Sequence, residues 1–314
     1  MTVTVTAPTT RRAPEKHAPP SRGRGLWKRR LPLLPALVLT IALTQVPFLF
    51  TLWYSVHSRN LLRPGTDRFV GLANYTKVVT DSAFRNAAVN TVVLTASVVV
   101  LSMLLGVALA VLLDRRFLGR GVVRTMLITP FLVMPAAAAL LWKTSMLNPV
   151  YGLLNWALSP FGVGDLDWAS RYPMATIVMV LVWQWTPFMM LIVLAGLQSQ
   201  SPEVLEAARV DGAGWWQTFR FVTVPHLRRY VELGVLLGSI YVVQTFDAIF
   251  MITQGGPGQA TTNLPYFIYL EAFRGFELGE AAALGVVVVA ATIVIATFAL
   301  RLISNLFSSE GVGA

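Results

Sequence analysis

The chain contains no cysteine, only three histidines and little charge. Without cysteine there is no disulfide framework, no thiolate metal site and no cysteine nucleophile, although the compartment is left open. His17, His57 and His226 are far apart and make no metal-ligand spacing, so no metal site is expected. Asp, Glu, Lys and Arg make up 13% of 314 residues while 55% are hydrophobic; a soluble domain would be about a quarter charged. That shortage points to a membrane protein. No G-x-x-x-x-G-K-[ST] phosphate loop occurs, because the glycines of TQGGPGQ have neither the lysine nor a preceding strand. No G-x-S-x-G occurs, and Asp247 has no second intramembrane acid to make a protease dyad. The chain is therefore expected to have no catalytic residue and no cofactor of its own.

What the chain does have is long uncharged runs. A bilayer crossing needs about 20 apolar residues, and six runs qualify or nearly so: residues 31–54, 86–113, 125–142, 172–197, 230–252 and 281–300, the last span being taken to 304 past Arg301. The third is slightly short. The fifth contains Asp247 and, at its cytoplasmic end, Glu232, which is expected to pair with Arg228 and Arg229. The expected fold is an all-α integral membrane protein of six helices, the permease-like part covering residues 31–305. Basic residues precede the first run, as in a signal peptide, but 24 uncharged residues exceed a usual apolar core and no small-residue cleavage site follows, so a retained span is expected.

Positive charge sets the orientation. With the N-terminus cytoplasmic, 17 of the 25 Lys and Arg fall on inside segments, which places both termini in the cytoplasm. The net charge of +10 is then a topology signal and not a nucleic-acid footprint. The poorest fit is the first outside loop, with Arg59, Arg63, Arg68, Lys77 and Arg85. Residues 1–30 are rich in Pro, Thr and Arg without apolar period and read as a disordered basic cytoplasmic tail.

This topology puts residues 198–229 in the cytoplasm. Ser201-Pro202-Glu203 has the form of a helix start: a capping residue, proline at the first position and an acid in the first turn. Gly212 is expected to end that helix. A second short helix is expected from about Gly214 through WWQTFRF, so the loop should be two short helices at a glycine corner. On residue chemistry alone, Trp215 and Trp216 suit an amphipathic segment lying on headgroups as well as they suit a docking surface for a partner.

The loop resembles the EAA loop of the membrane subunits of binding-protein-dependent ABC importers. Glu206-Ala207-Ala208 is followed at the family spacing by Gly212 and then by Val222-x-Val224-Pro225, and the longer form EAAxxDGA matches through Asp211 and Ala213. A further proline that often follows is replaced by VPHLRRY, whose Arg228 and Arg229 read as cytoplasmic-face anchors. The resemblance implies a coupling helix in which Glu206, Ala207, Ala208, Asp211 and Gly212 meet a separate ATPase subunit. It also implies a second permease subunit, two ATP-binding subunits that use ATP and Mg, an extracytoplasmic solute-binding protein and a bacterial inner-membrane location. The run Phe246-Asp247-x-Ile249-Phe250-x-x-Thr253-x-Gly255-Gly256-Pro257 resembles the carbohydrate branch, the permeases for maltose and glycerol phosphate, which implies a sugar or sugar-alcohol substrate. Gly255, Gly256 and Pro257 would then form an external gate turn, where a plain helix-ending turn would need no further role.

A sugar path needs aromatic faces and hydrogen-bonding groups in one cavity. Trp185 and Phe188 are three apart on one helix face, and Gly238, Tyr241, Val242 and Thr245 share another. The path candidates are Trp185, Phe188, Tyr241, Gln244, Thr245 and Asp247. Helix packing is the alternative for the stripe, and Asp247 suits a substrate contact and a helix cap equally. Three rivals stand beside the main reading: a secondary carrier, with paired intramembrane charges and inverted repeats that are not evident here; a membrane scaffold, which needs no EAA spacing; and an ABC permease for a non-carbohydrate solute.

Overall fold

The computed structural model describes residues 33–308, apart from positions 64, 66, 116 and 163. The basic tail expected at 1–30 lies outside the described residues. Helix α1 (Leu34–Ser55) holds the boundary between two compact units, residues 1–50 and 51–314. Within it the hydroxyls of Thr40 and Thr44 donate to the carbonyls of Ala36 and Thr40 at 2.8 Å, so its polar side chains are satisfied inside the helix, as an apolar medium requires.

The second unit continues with α2 (Ala73–Thr80), α3 (Ser82–Asp114) and α4 (Arg120–Leu132). Next come α5 (Pro135–Leu141), prolonged by a π turn at Trp142–Met146, then α6 (Leu153–Leu158) and α7 (Trp168–Arg171). After these are α8 (Pro173–Gln198), α9 (Pro202–Val210), α10 (Trp215–Thr218) and α11 (Val224–Val243). Helices α12 (Leu264–Tyr269) and α13 (Leu278–Ser308) complete the order. Among the described residues three helices, α1, α3 and α8, are long and apolar enough to cross a membrane, and α4 with α5 makes a fourth if the bent pair is one span. At 1.5 Å per residue the 33 residues of α3 reach roughly 50 Å, beyond the hydrocarbon thickness of a bilayer.

The third expected span is bent in the structure. Residues 125–142 are not one rod, because α4 and α5 meet at about 100°. Met134 precedes Pro135 and is extended, with ψ 133°; the proline ring disfavours a helical residue before it and supplies no N–H. The fifth expected span also differs. Its helix starts earlier, at Val224, and stops at Val243, and after a break the chain resumes as a π turn at Ile249–Thr253.

The core is the α3–α8 contact, joined by α11. A Cβ on Gly106 of α3 would lie 2.8 Å from Met189 Cβ and 2.9 Å from Met190 N of α8. Only glycine permits that approach, the usual device for close helix packing in lipid. Met189, Met190, Ile177, Val193 and Leu194 are buried there.

The basic segment expected to lie outside is folded. Strands β1 (His57–Ser58) and β2 (Arg68–Phe69) pair antiparallel, His57 opposite Phe69. Lys77 bonds Glu280 at 2.6 Å, Arg59 lies 3.7 Å from Asp67, and Asn60 donates to Glu277 at 2.8 Å. Part of the charge that fits the orientation rule poorly is thus answered by carboxylates.

Candidate functional site

The break after α11 builds a cleft. Beyond Val243 the ladder turns aside: Gln244 N–H bonds Tyr241 O at 3.3 Å and Thr245 N–H bonds Val242 O at 3.0 Å. The carbonyl of Thr245 is freed from the helix and accepts from Asn263 Nδ2 at 2.5 Å. Asn263 is 1% exposed, and its Oδ1 accepts from Tyr266 N–H at 3.1 Å, capping α12. The bend at Val133 is treated the same way, since Gln184 Nε2 donates to Val133 O at 3.4 Å. A backbone broken within a bundle must find partners from side chains, and here two amides supply them.

The resulting cleft of about 120 Å³ is lined by Trp185, Tyr241, Gln244, Thr245 and Asp247, with Gln184 beside them. Five of the six path candidates therefore share one cavity. Phe188, the sixth, is not on its wall but meets Trp185 and Tyr241 edge-on, with centroids 5.8 and 6.3 Å apart. Trp185 and Tyr241 stack at 5.6 Å with planes 22° apart. The Asp247 side chain makes no hydrogen bond or ion pair among the described residues, so it caps no described helix. The sequence reading missed Gln184, Phe246 and Phe131, which stacks on Phe188 at 5.3 Å. A lone amide in an uncharged span was a signal for Gln184; nothing local marks Phe131, which arrives from the bent helix.

Gly255, Gly256 and Pro257 form a turn whose returning segment, Thr261 to Asn263, is buried. Gly255 has φ +81°, and a Cβ there would meet Thr262 Oγ1 at 2.5 Å. Thr261 N–H returns to Gly255 O at 3.0 Å and Gly256 N–H to Thr253 O at 3.0 Å. Asn90 of α3 donates to Gln259 O at 2.9 Å and Thr262 O at 3.0 Å. Thr261, Thr262 and Asn263 are at most 2% exposed, so the loop is packed into the bundle.

At residues 198–229, α9 begins with Pro202 as expected, but the Ser201 hydroxyl bonds the Glu203 carboxylate and not a backbone N–H. Gly212 has φ +82° and makes the corner. The second helix is not short: Trp215 to Val243 is continuously helical, through a π turn at Phe219–Thr223. Pro225 cannot donate to the preceding turn, and a π turn absorbs the missing bond. Glu206, Ala207, Asp211 and Gly212 are exposed and Ala208 is half-buried. Glu232 pairs with Arg228 at 2.8 Å, as expected. At the base, His226 Nε2 lies 3.1 Å from both Ser199 Oγ and Gly196 O. Among the described residues no group of three or more potential metal ligands occurs.

These features define a helical membrane protein whose broken helices border a polar, aromatic cleft. Residues 102–308 match the family model described as "Binding-protein-dependent transport system inner membrane component". A probable ABC transporter permease protein, y4oQ of Sinorhizobium fredii, is 37% identical over 80% of this chain and 82% of its own. The trehalose/maltose transport system permease protein MalF of Thermococcus litoralis is 36% identical over 80% of this chain and 83% of its own. A crystal structure of a bacterial ABC transporter involved in the import of the acidic polysaccharide alginate superposes with a TM-score of 0.75, over 89% of this chain and 96% of that one. At 20% identity it shares the fold. The chain belongs to the family of binding-protein-dependent transport system inner membrane components.

Proposed function

We propose that the chain is the membrane-spanning permease subunit of an ABC importer for a sugar or sugar alcohol, acting with a second, related permease subunit. The observation that carries the substrate class is the cleft: a stacked Trp185–Tyr241 pair beside Gln244, Thr245 and Asp247. Aromatic faces suit the C–H surfaces of a sugar ring, and amide, hydroxyl and carboxylate groups suit its hydroxyls. The similarity to a trehalose/maltose permease supports the same class.

In this reading six helices span a bacterial inner membrane with both termini in the cytoplasm. Residues 198–229 form the cytoplasmic loop, and α9 is the coupling helix that presents Glu206, Ala207, Ala208, Asp211 and Gly212 to an ATPase subunit. Two such subunits use ATP and Mg. Their closure draws the coupling helices together and turns the cleft outward, where a solute-binding protein delivers substrate near Gly255, Gly256 and Pro257. Hydrolysis returns it inward. The break at Gln244–Phe246 lets the cleft change shape without bending a continuous helix.

The test is reconstitution of the chain with its partner permease, ATPase and binding protein in proteoliposomes. Uptake of a labelled disaccharide or polyol should require ATP and the binding protein and should compete with related sugars. Uptake of a non-carbohydrate solute alone, or uptake without ATP, would overturn the reading.

A further inference from the structure

A second cavity, of about 320 Å³, lies where the ends of α3 and α8 meet α9 and the π turn. Its polar wall is Asp114, Arg115, Gln200 and Arg209, with Thr218 beside them. Its apolar wall includes Val111, Leu197, Leu205 and Phe219. Arg115 stands 6.0 Å over the Trp215 ring, which stacks on Phe219 at 5.6 Å. Neither Arg115 nor Arg209 joins an ion pair among the described residues. Gln200 Oε1 accepts from the Thr223 hydroxyl at 3.3 Å, while its Nε2 is buried with no partner. The exposed polar groups of the wall are therefore chiefly the two guanidiniums and the Asp114 carboxylate.

We propose that this cavity binds the phosphate of an anionic phospholipid headgroup, held by Arg115 and Arg209, with the start of the acyl region against Val111, Leu197 and Phe219. Guanidinium groups match phosphate oxygens in geometry as well as charge. A free phosphate would satisfy the donors and leave the apolar wall without a partner. The choice of a lipid rests on the reading of residues 198–229 as the cytoplasmic loop, which sets the cavity at the inner-leaflet surface, where anionic lipids attract basic side chains. Arg209 belongs to α9 and Arg115 follows the end of α3. One headgroup would tie the loop helix to the span, so a lipid would set how firmly α9 is held. Asp114 stands at the same wall and opposes the anion.

The experiment is native mass spectrometry of the assembled transporter, exchanged into detergent with phosphatidylglycerol, with phosphatidylcholine or with inorganic phosphate alone. Phosphatidylglycerol should be retained in preference. The double variant Arg115→Gln, Arg209→Gln should lose that preference by roughly ten-fold, Arg115→Lys, Arg209→Lys should keep most of it, and Asp114→Asn should strengthen it. Equal retention of the two lipids, or an unchanged preference in the Gln variant, would overturn the inference. So would phosphate binding without lipid selectivity. Co-purification of the ATPase is scored on the same samples. A wild-type chain that brings down no ATPase would sink the reading of the loop, whereas an intact complex without lipid preference would sink only the lipid site.

Discussion

The side-chain amide of Asn263 donates a 2.5 Å hydrogen bond to the carbonyl of Thr245, eighteen residues earlier. One bond joins the break after α11 to the start of α12, and through it the cleft to the buried return of the GGP turn. Replacing Asn263 by Leu keeps the volume but leaves the Thr245 carbonyl and the Tyr266 N–H without these partners. The expected cost is about 1–3 kcal/mol for each buried group left unpaired. Thermal unfolding in detergent should show the loss, and Asn263→Asp, which keeps the cap on Tyr266 but not the donor, should fall between the two.

Trp185 and Tyr241 stack over the cleft. Trp185→Ala or Tyr241→Ala should weaken substrate use more than folding. An aromatic contact of this kind is worth about 0.5–1.5 kcal/mol, so the apparent affinity for a sugar should fall roughly two- to ten-fold with coupling to ATP intact. Uptake at saturating and limiting sugar separates the two effects. Leucine at Phe188, which is off the cavity wall, should be milder.

Gly212 turns the chain between α9 and α10 with φ +82°, and no neighbouring atom would meet a Cβ there. The penalty for a side chain is therefore conformational, roughly 1–2 kcal/mol. Gly212→Trp should leave the assembled complex hydrolysing ATP while uptake fails, because the corner that aims α9 is lost. Uptake at the normal rate in this variant would contradict the coupling role of α9.

Glu271 lies outside the spans, half-buried in the π turn Leu270–Arg274. Burial pushes its carboxyl up, and the neighbouring charges of Glu280, Asp81 and Glu277 push it further the same way. A raised folded value means that the folded state holds the proton more tightly. Stability therefore falls as pH rises from the unfolded value, near 4.5, through the raised one. Glu271→Gln should raise the melting temperature at pH 7.5, and the gain should vanish below about pH 4.

Much of the helical architecture was legible in the chain, because apolar runs are local. The long uncharged runs at 86–113 and 172–197 became α3 and α8, and Gly212 became the corner after α9. The bend between α4 and α5 was written at Pro130 and Pro135, yet an 18-residue apolar run reads as one rod when only hydropathy is counted. The π turn at Phe219–Thr223 escaped for the opposite reason: α10 and α11 join although Pro225 stands in the first turn of α11, and a single wider turn accommodates it.

By itself, the sequence determined that the chain belongs in lipid, carries no P-loop and bears an EAA spacing on one loop, since these depend on composition and on residues near one another. Only the tertiary structure decided which side chains face one cavity. Trp185 and Tyr241 meet because Gly238 lets α11 pack closely on Met189 of α8, and the break at Gln244 brings Thr245 and Asp247 into the same cavity. That break is tolerable only where Asn263, distant in the chain, supplies the hydrogen bond that lipid cannot.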